Sequence, residues 1–105
     1  MFKTITAKFK VVNDTLFKKG RFGIDRSDWI IKVERYKSGA TAYGDKSGHS
    51  VIIENKPEYM GHYYDTRYDG IPTDKRNWLA YWKAFVEYLY QLEIELIDYQ
   101  EGSEE

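Results

Sequence analysis

The chain of 105 residues contains no cysteine, which excludes disulfides, thiolate metal sites and a cysteine nucleophile. Packing alone must hold the fold. Proline is scarce, occurring only as Pro57 and Pro72, so most reversals of the chain fall to glycine, asparagine, aspartate and serine. The longest unbroken apolar run, Trp78 to Trp82, is far short of the roughly 20 residues a helix needs to cross a bilayer. No membrane segment is expected. Phe2, Lys3 and Thr4 lead directly into an alternating pattern with no signal-peptide character, so a cytoplasmic protein is the expectation. Gly20, Gly23 and Gly39 have the wrong spacing for a phosphate-cradling loop, and none of Ser27, Ser38, Ser47 and Ser50 sits in a nucleophile-elbow pattern.

What is present is aromatic and charged. Aromatic residues make up 17% of the chain, with 10 Tyr, 5 Phe and 3 Trp, so large rings must supply much of the buried area. The net charge of −1 conceals a division. Residues 1–46 carry 11 Lys+Arg against 5 Asp+Glu, giving +6, whereas residues 47–105 carry 5 against 12, giving −7. Such a division fits either a basic face for nucleic acid or two halves that attract each other on folding.

Periodicity suggests strands first and a helix last. In TITAKFKVV, Ile5, Ala7, Phe9 and Val11 alternate with Thr4, Thr6, Lys8 and Lys10, the pattern of a half-buried strand. Leu16 to Ile24, interrupted by Lys18-Lys19-Gly20, reads as a twisted strand pairing back on the first. After a turn at Asp25 to Asp28, SDWIIKVERYK gives the clearest strand. Lys37-Ser38-Gly39 and Asp45-Lys46-Ser47-Gly48 read as turns around a short strand, Ala40 to Tyr43, with a further strand from His49 to Glu54.

Thr73 reads as the N-cap of a helix whose apolar arc holds Trp78, Leu79, Trp82, Phe85, Val86, Leu89, Leu92, Leu96 and Ile97. The lack of Gly or Pro near Gln91 favours one continuous helix. Glu93 disagrees, since it falls inside the apolar arc; the alternative ends the helix near Gln91 and makes LEIELIDY a last strand. The expected architecture is a single α+β domain over residues 1–100, with an antiparallel sheet of four to five strands packed against one long C-terminal amphipathic helix. Residues 101–105 read as a frayed acidic tail.

The stretch GHYYDTRYDGIPTD, residues 61–74, concentrates candidate chemistry. His62, Asp65 and Asp69 are metal-ligand types at a spacing that matches no established pattern, so no metal and no cofactor are expected. Pairing of Arg67 with Asp65 or Asp69 in an ordered loop accounts for those residues better. Tyr63, Tyr64, Arg67 and Tyr68, with Tyr81 and Tyr88 on the flank of the helix, form a candidate protein-binding patch, because tyrosine buries large area at low entropic cost. This reading makes the chain a small non-enzymatic protein-binding module, an accessory or inhibitor protein of a bacterium or mobile element, present as a monomer or weak homodimer. The alternative is a nucleic-acid-binding domain whose sheet presents Lys8, Lys10, Lys18, Lys19, Arg21 and Lys32 to phosphates while Tyr36 stacks on a base. The third reading is a metal-independent ribonuclease in which His49 and His62 exchange protons and Arg67 or a lysine stabilises the phosphorane.

Overall fold

The computed structural model describes residues 3–15, 25–42, 44–56, 62–65, 72 and 74–103. Five strands and one helix follow in the order β1 (Lys3–Asp14), β2 (Ile30–Thr41), β3 (Gly44–Ile53), β4 (His62–Asp65), α1 (Lys75–Tyr90) and β5 (Leu92–Ser103). The strands form one sheet in the order β4-β3-β2-β1-β5, with every neighbouring pair antiparallel. The α+β architecture expected from the periodicity is present.

Alternation sets the two faces of the sheet. Ile5, Ala7, Phe9 and Val11 of β1 register with the β2 and β5 residues that share their face, including Ile31, Val33, Ile94 and Leu96. With Ile31, Val33, Val51, Ile53, Trp29, Leu92 and Ile94 the four β1 residues form the core over which α1 lies, burying Trp78, Trp82 and Val86, while Leu96 stays partly exposed. These helix positions are spaced by four residues, so they lie along one narrow strip.

The helix begins one residue later than expected. Asp74 is the N-cap, and its carboxylate accepts from the backbone N–H of Asn77 at 3.2 Å; Thr73 lies outside the described residues. The end of α1 differs more. Gln91 adopts a left-handed conformation, φ 57 and ψ 52, while its N–H still donates to the Glu87 carbonyl, so the helix closes without a glycine. Leu92–Ser103 then runs as β5 along the whole of β1. The continuous helix is thus corrected to helix plus strand, which resolves the position of Glu93: it leaves the apolar face and accepts from Asn13 Nδ2. Glu101–Ser103, expected in a frayed tail, are the last residues of β5.

Two expected turns are also strand. Lys37-Ser38-Gly39 lies within β2 as a register shift, and Asp45-Lys46-Ser47-Gly48 lies within β3, because β2 and β3 stay paired as far as Thr41 and Gly44. Gly48 is needed where it stands. A Cβ there would come within 2.9 Å of Cζ in its cross-strand partner Tyr36, whose ring covers the glycine. The strand expected from Leu16 to Ile24 falls outside the described residues; over Ile5–Lys10 both edges of β1 are taken by β2 and β5.

Side-chain staples secure the turns. Ser27 N–H donates to Asp25 Oδ1 at 2.9 Å, an Asx turn, and Asn55 links Ile30 N–H to the Asp28 carbonyl. Arg26 and Asp14 form a bidentate ion pair, 2.9 and 2.6 Å, with Arg26 only 2% exposed. Its guanidinium also sits 5.5 Å from the centre of the Trp29 ring. Loss of one partner from such a pair leaves a buried charge and costs about 3–5 kcal/mol.

Two variants check this packing and the reversal. Trp82→Ala removes the ring that joins α1 to the sheet and is expected to cost about 3–5 kcal/mol in urea denaturation, a large part of the roughly 5–15 kcal/mol typical of a domain; a variant as stable as the parent would contradict the observed core. Gln91→Gly relieves the left-handed residue and is expected to raise stability by about 0.5–1 kcal/mol, read as an increase in Tm, whereas a decrease would place the helix end elsewhere.

Candidate functional site

The first part of the 61–74 stretch is not a loop. His62–Asp65 forms β4, pairing Gly48 with Asp65, His49 with Tyr64, Ser50 with Tyr63 and Val51 with His62. Alternation then puts the Tyr63 and Tyr64 positions on opposite faces of the sheet, with Tyr64 sharing the helix-bearing face. The side chains of residues 62–65 lie outside the described set, as do Arg67, Tyr68 and Asp69 altogether, and with them the expected ion pair of Arg67.

The described part of the tyrosine patch is on α1. Tyr81 is 40% exposed and Tyr88 is 78% exposed. Their helix arc lies beside the buried strip, with Phe85 between the two. The Tyr81 ring is stacked on Phe85, centroids 6.4 Å apart and planes at 7°, and meets Trp82 edge-on at 5.2 Å. Tyr81 is therefore held by two rings with part of its surface in water.

Behind this flank lies a buried aromatic column. Trp82 packs against the His49 ring at 4.6 Å, and Trp78 donates its Nε1–H to His49 Nε2 at 2.9 Å. The acceptor fixes the tautomer: Nε2 carries no proton, so neutral His49 holds its proton on Nδ1. Burial first, and then the charge of Arg35, lower the His49 pKa to about 4. Arg35 follows from register, since it pairs with His49 on one side and Ile5 on the other; it donates to the Lys3 carbonyl. His49 is only 2% exposed. The register makes the His62 position a diagonal neighbour of His49, but an imidazole already accepting from Trp78 inside the core is poorly placed to exchange protons with a phosphate.

The candidate basic surface has partners within the chain. Lys8 Nζ is 2.9 Å from Glu54, Lys10 is 3.9 Å from Glu95, and Lys3 is 3.1 Å from Glu101. The hydrogen bond to Glu54, more than its charge, raises the Lys8 pKa. Lys32 stands opposite Lys8 in the β1–β2 register, and Tyr36 covers Gly48. Lys18, Lys19 and Arg21 lie outside the described residues.

One further cluster is assembled only by the tertiary structure. At the far end of β5, Tyr99 donates to Glu101, Glu101 pairs with Lys3, and Lys75 sits 4.7 Å from the Tyr99 ring centre. Burial and then Glu101 push the Tyr99 phenol above its ordinary pKa. Its members come from β1, α1 and β5, so no local spacing could announce it. Among the described residues no group of three or more His, Asp or Glu could hold a metal, and no helix is long and apolar enough to cross a membrane. Comparison with protein-family models, curated proteins and solved structures finds no match.

His49 generates a pH prediction. Its pKa is near 6.5 as an unperturbed group and about 4 in the fold, so unfolding favours proton uptake between these values. Its contribution is complete above about pH 6.5 and is lost as pH falls toward 4, by on the order of 3 kcal/mol in total. Urea denaturation at a series of pH values measures this. His49→Gln, which keeps an acceptor for Trp78 but does not titrate, should flatten the slope in that window; an unchanged slope would assign the acid sensitivity to other groups.

Proposed function

We propose that this chain is a small non-catalytic protein-binding module, acting as an accessory or inhibitor protein in the cytoplasm. The observation that carries the reading is the exposed aromatic flank of α1. Tyr88 is 78% exposed on a helix whose neighbouring strip is fully buried, and Tyr81 is backed by the Phe85 and Trp82 rings. A tyrosine whose rotamer is already held by packing loses little entropy when a partner covers it, and such residues supply much of the binding energy in protein interfaces.

The pairing of Lys8, Lys10 and Lys3 with carboxylates of the second half of the chain favours protein over nucleic acid as the partner. Each lysine held by an internal carboxylate has less charge to offer a phosphate backbone. The division of charge along the chain is then a feature of folding.

Co-purification from extract, with and without nuclease, tests this with a matched variant. Tyr81→Ala/Tyr88→Ala should stay folded, losing little at Tyr88, which is 78% exposed, and about 0.5–1.5 kcal/mol at Tyr81, whose ring contacts with Phe85 and Trp82 are removed. It is expected to lose about tenfold or more in capture of proteins that the parent retains after nuclease treatment. Equal capture by both chains, or capture that disappears with nuclease, would reject the reading.

A further inference from the structure

β5 is the last strand of the sheet: one edge is hydrogen-bonded to β1, and no described residue forms a strand on the other. An unpaired edge is a template for an added strand. At Ile94 this template is closed, because the backbone N–H donates to Glu87 Oε2 at 3.0 Å. The register shift between Lys8/Phe9 leaves Ile97 as the extra residue of a bulge. Beyond it, Asp98–Ser103 pairs one for one with Lys3–Lys8, so this part of β5 is regular strand. At the bulge Leu96 and Ile97 are 37% and 48% exposed.

The occupied edge shows which chemistry suits this strand. β5 carries Glu93, Glu95, Asp98 and Glu101 with no lysine or arginine. Every charged residue between Lys3 and Lys10 on β1 is a lysine. Lys3 meets Glu101, Lys10 meets Glu95, and Lys8 registers with Asp98. Ala7, Phe9 and Val11 alternate with Lys8 and Lys10, and Phe9 registers with Leu96.

We propose that the edge of β5 that no described strand occupies, over Asp98–Ser103 and with Leu96 and Ile97 as an apolar shoulder, accepts an extended segment of a partner protein in which basic residues alternate with apolar ones. A second copy of β5 fits poorly, since strand-to-strand pairing would bring two sets of carboxylates together, and like charges opposite each other destabilise a sheet. This surface is separate from the tyrosine flank. Glu87, which faces β5, lies about 100° around α1 from Tyr88 and about 120° from Tyr81, so the two readings stand or fall independently.

The test uses the full chain, labelled with 15N, and a short synthetic peptide alternating lysine with valine or phenylalanine. Saturable amide shifts and slowed exchange over residues 96–103, weakening with added salt, are expected. A peptide with glutamate in place of lysine should not bind, and neither should one methylated on alternate backbone nitrogens, which cannot complete the ladder. Asp98→Asn and Asp98→Lys, at the carboxylate of this stretch that Lys3 does not engage, should weaken the lysine peptide progressively, by up to about threefold, one unfavourable charge pair at about 0.7 kcal/mol. Should these substitutions disturb the fold, binding of the two control peptides to the parent chain decides between the outcomes. Absence of shifts in the parent, shifts centred on Tyr81 and Tyr88, equal binding of any control peptide, or shifts that appear with protein concentration alone would each overturn the proposal.

Discussion

The left-handed turn at Gln91 determines more of this molecule than any other single residue. It ends α1 while the Glu87 carbonyl is still receiving a helical hydrogen bond, and it sends Leu92 directly into a strand. That strand runs along all of β1, so β1 becomes an interior strand with β2 on its other side. Had the helix continued, β1 would have lost the neighbour that covers its full length. The Glu87 side chain reinforces the reversal by accepting from Ile94 N–H and pairing with Lys83 at 3.0 Å. Helix end and strand start are tied by the same carboxylate.

With the sheet assembled in this order, the opposite charges of the two halves of the chain come together. The lysines of β1 face carboxylates of β5 and Glu54, and Lys56 pairs with Asp28 in the reverse sense. These pairs are partly or largely exposed, and individually such contacts contribute about 0–1 kcal/mol. Their larger effect is on register: sliding β5 along β1 would separate each lysine from its carboxylate and set apolar residues against polar ones. Charge therefore helps specify the pairing that apolar burial stabilises.

On the helix-bearing face the coupling is aromatic. Trp78 and Trp82 flank His49, so the contact between α1 and β3 combines a hydrogen bond with ring packing. An imidazole in this place gives the Trp78 N–H an acceptor that a hydrocarbon would not, at the cost of acid sensitivity. From Trp82 the rings continue through Phe85 to Tyr81. Tyr81, one residue of the surface proposed to bind a partner, is thus mounted on the same packing that holds the helix to the sheet, which favours recognition by a preformed ring.

The α+β class, the alternation of β1 and the buried strip of α1 were legible in the sequence because each depends on local period, and period follows directly from strand and helix geometry. The exposed flank of Tyr81 and Tyr88 was legible for the same reason. Where α1 ends was not, since LEIELIDY satisfies a helical arc and a strand alternation at once, and only pairing with β1 decides between them. The apparent turns at Lys37-Ser38-Gly39 and Asp45 to Gly48 failed similarly: turn-forming residues were overruled by a long hairpin in which Tyr36 covers Gly48. The Arg26–Asp14 pair, the Trp78–His49 bond and the Tyr99–Glu101–Lys3 cluster carry no linear signature. Sequence by itself determined the period of the apolar residues, and with it the inward faces of β1 and α1; the tertiary structure decided which residues meet and which polar ones, such as Arg26 and His49, are buried with them, because partners distant in the chain are chosen by sheet order and register.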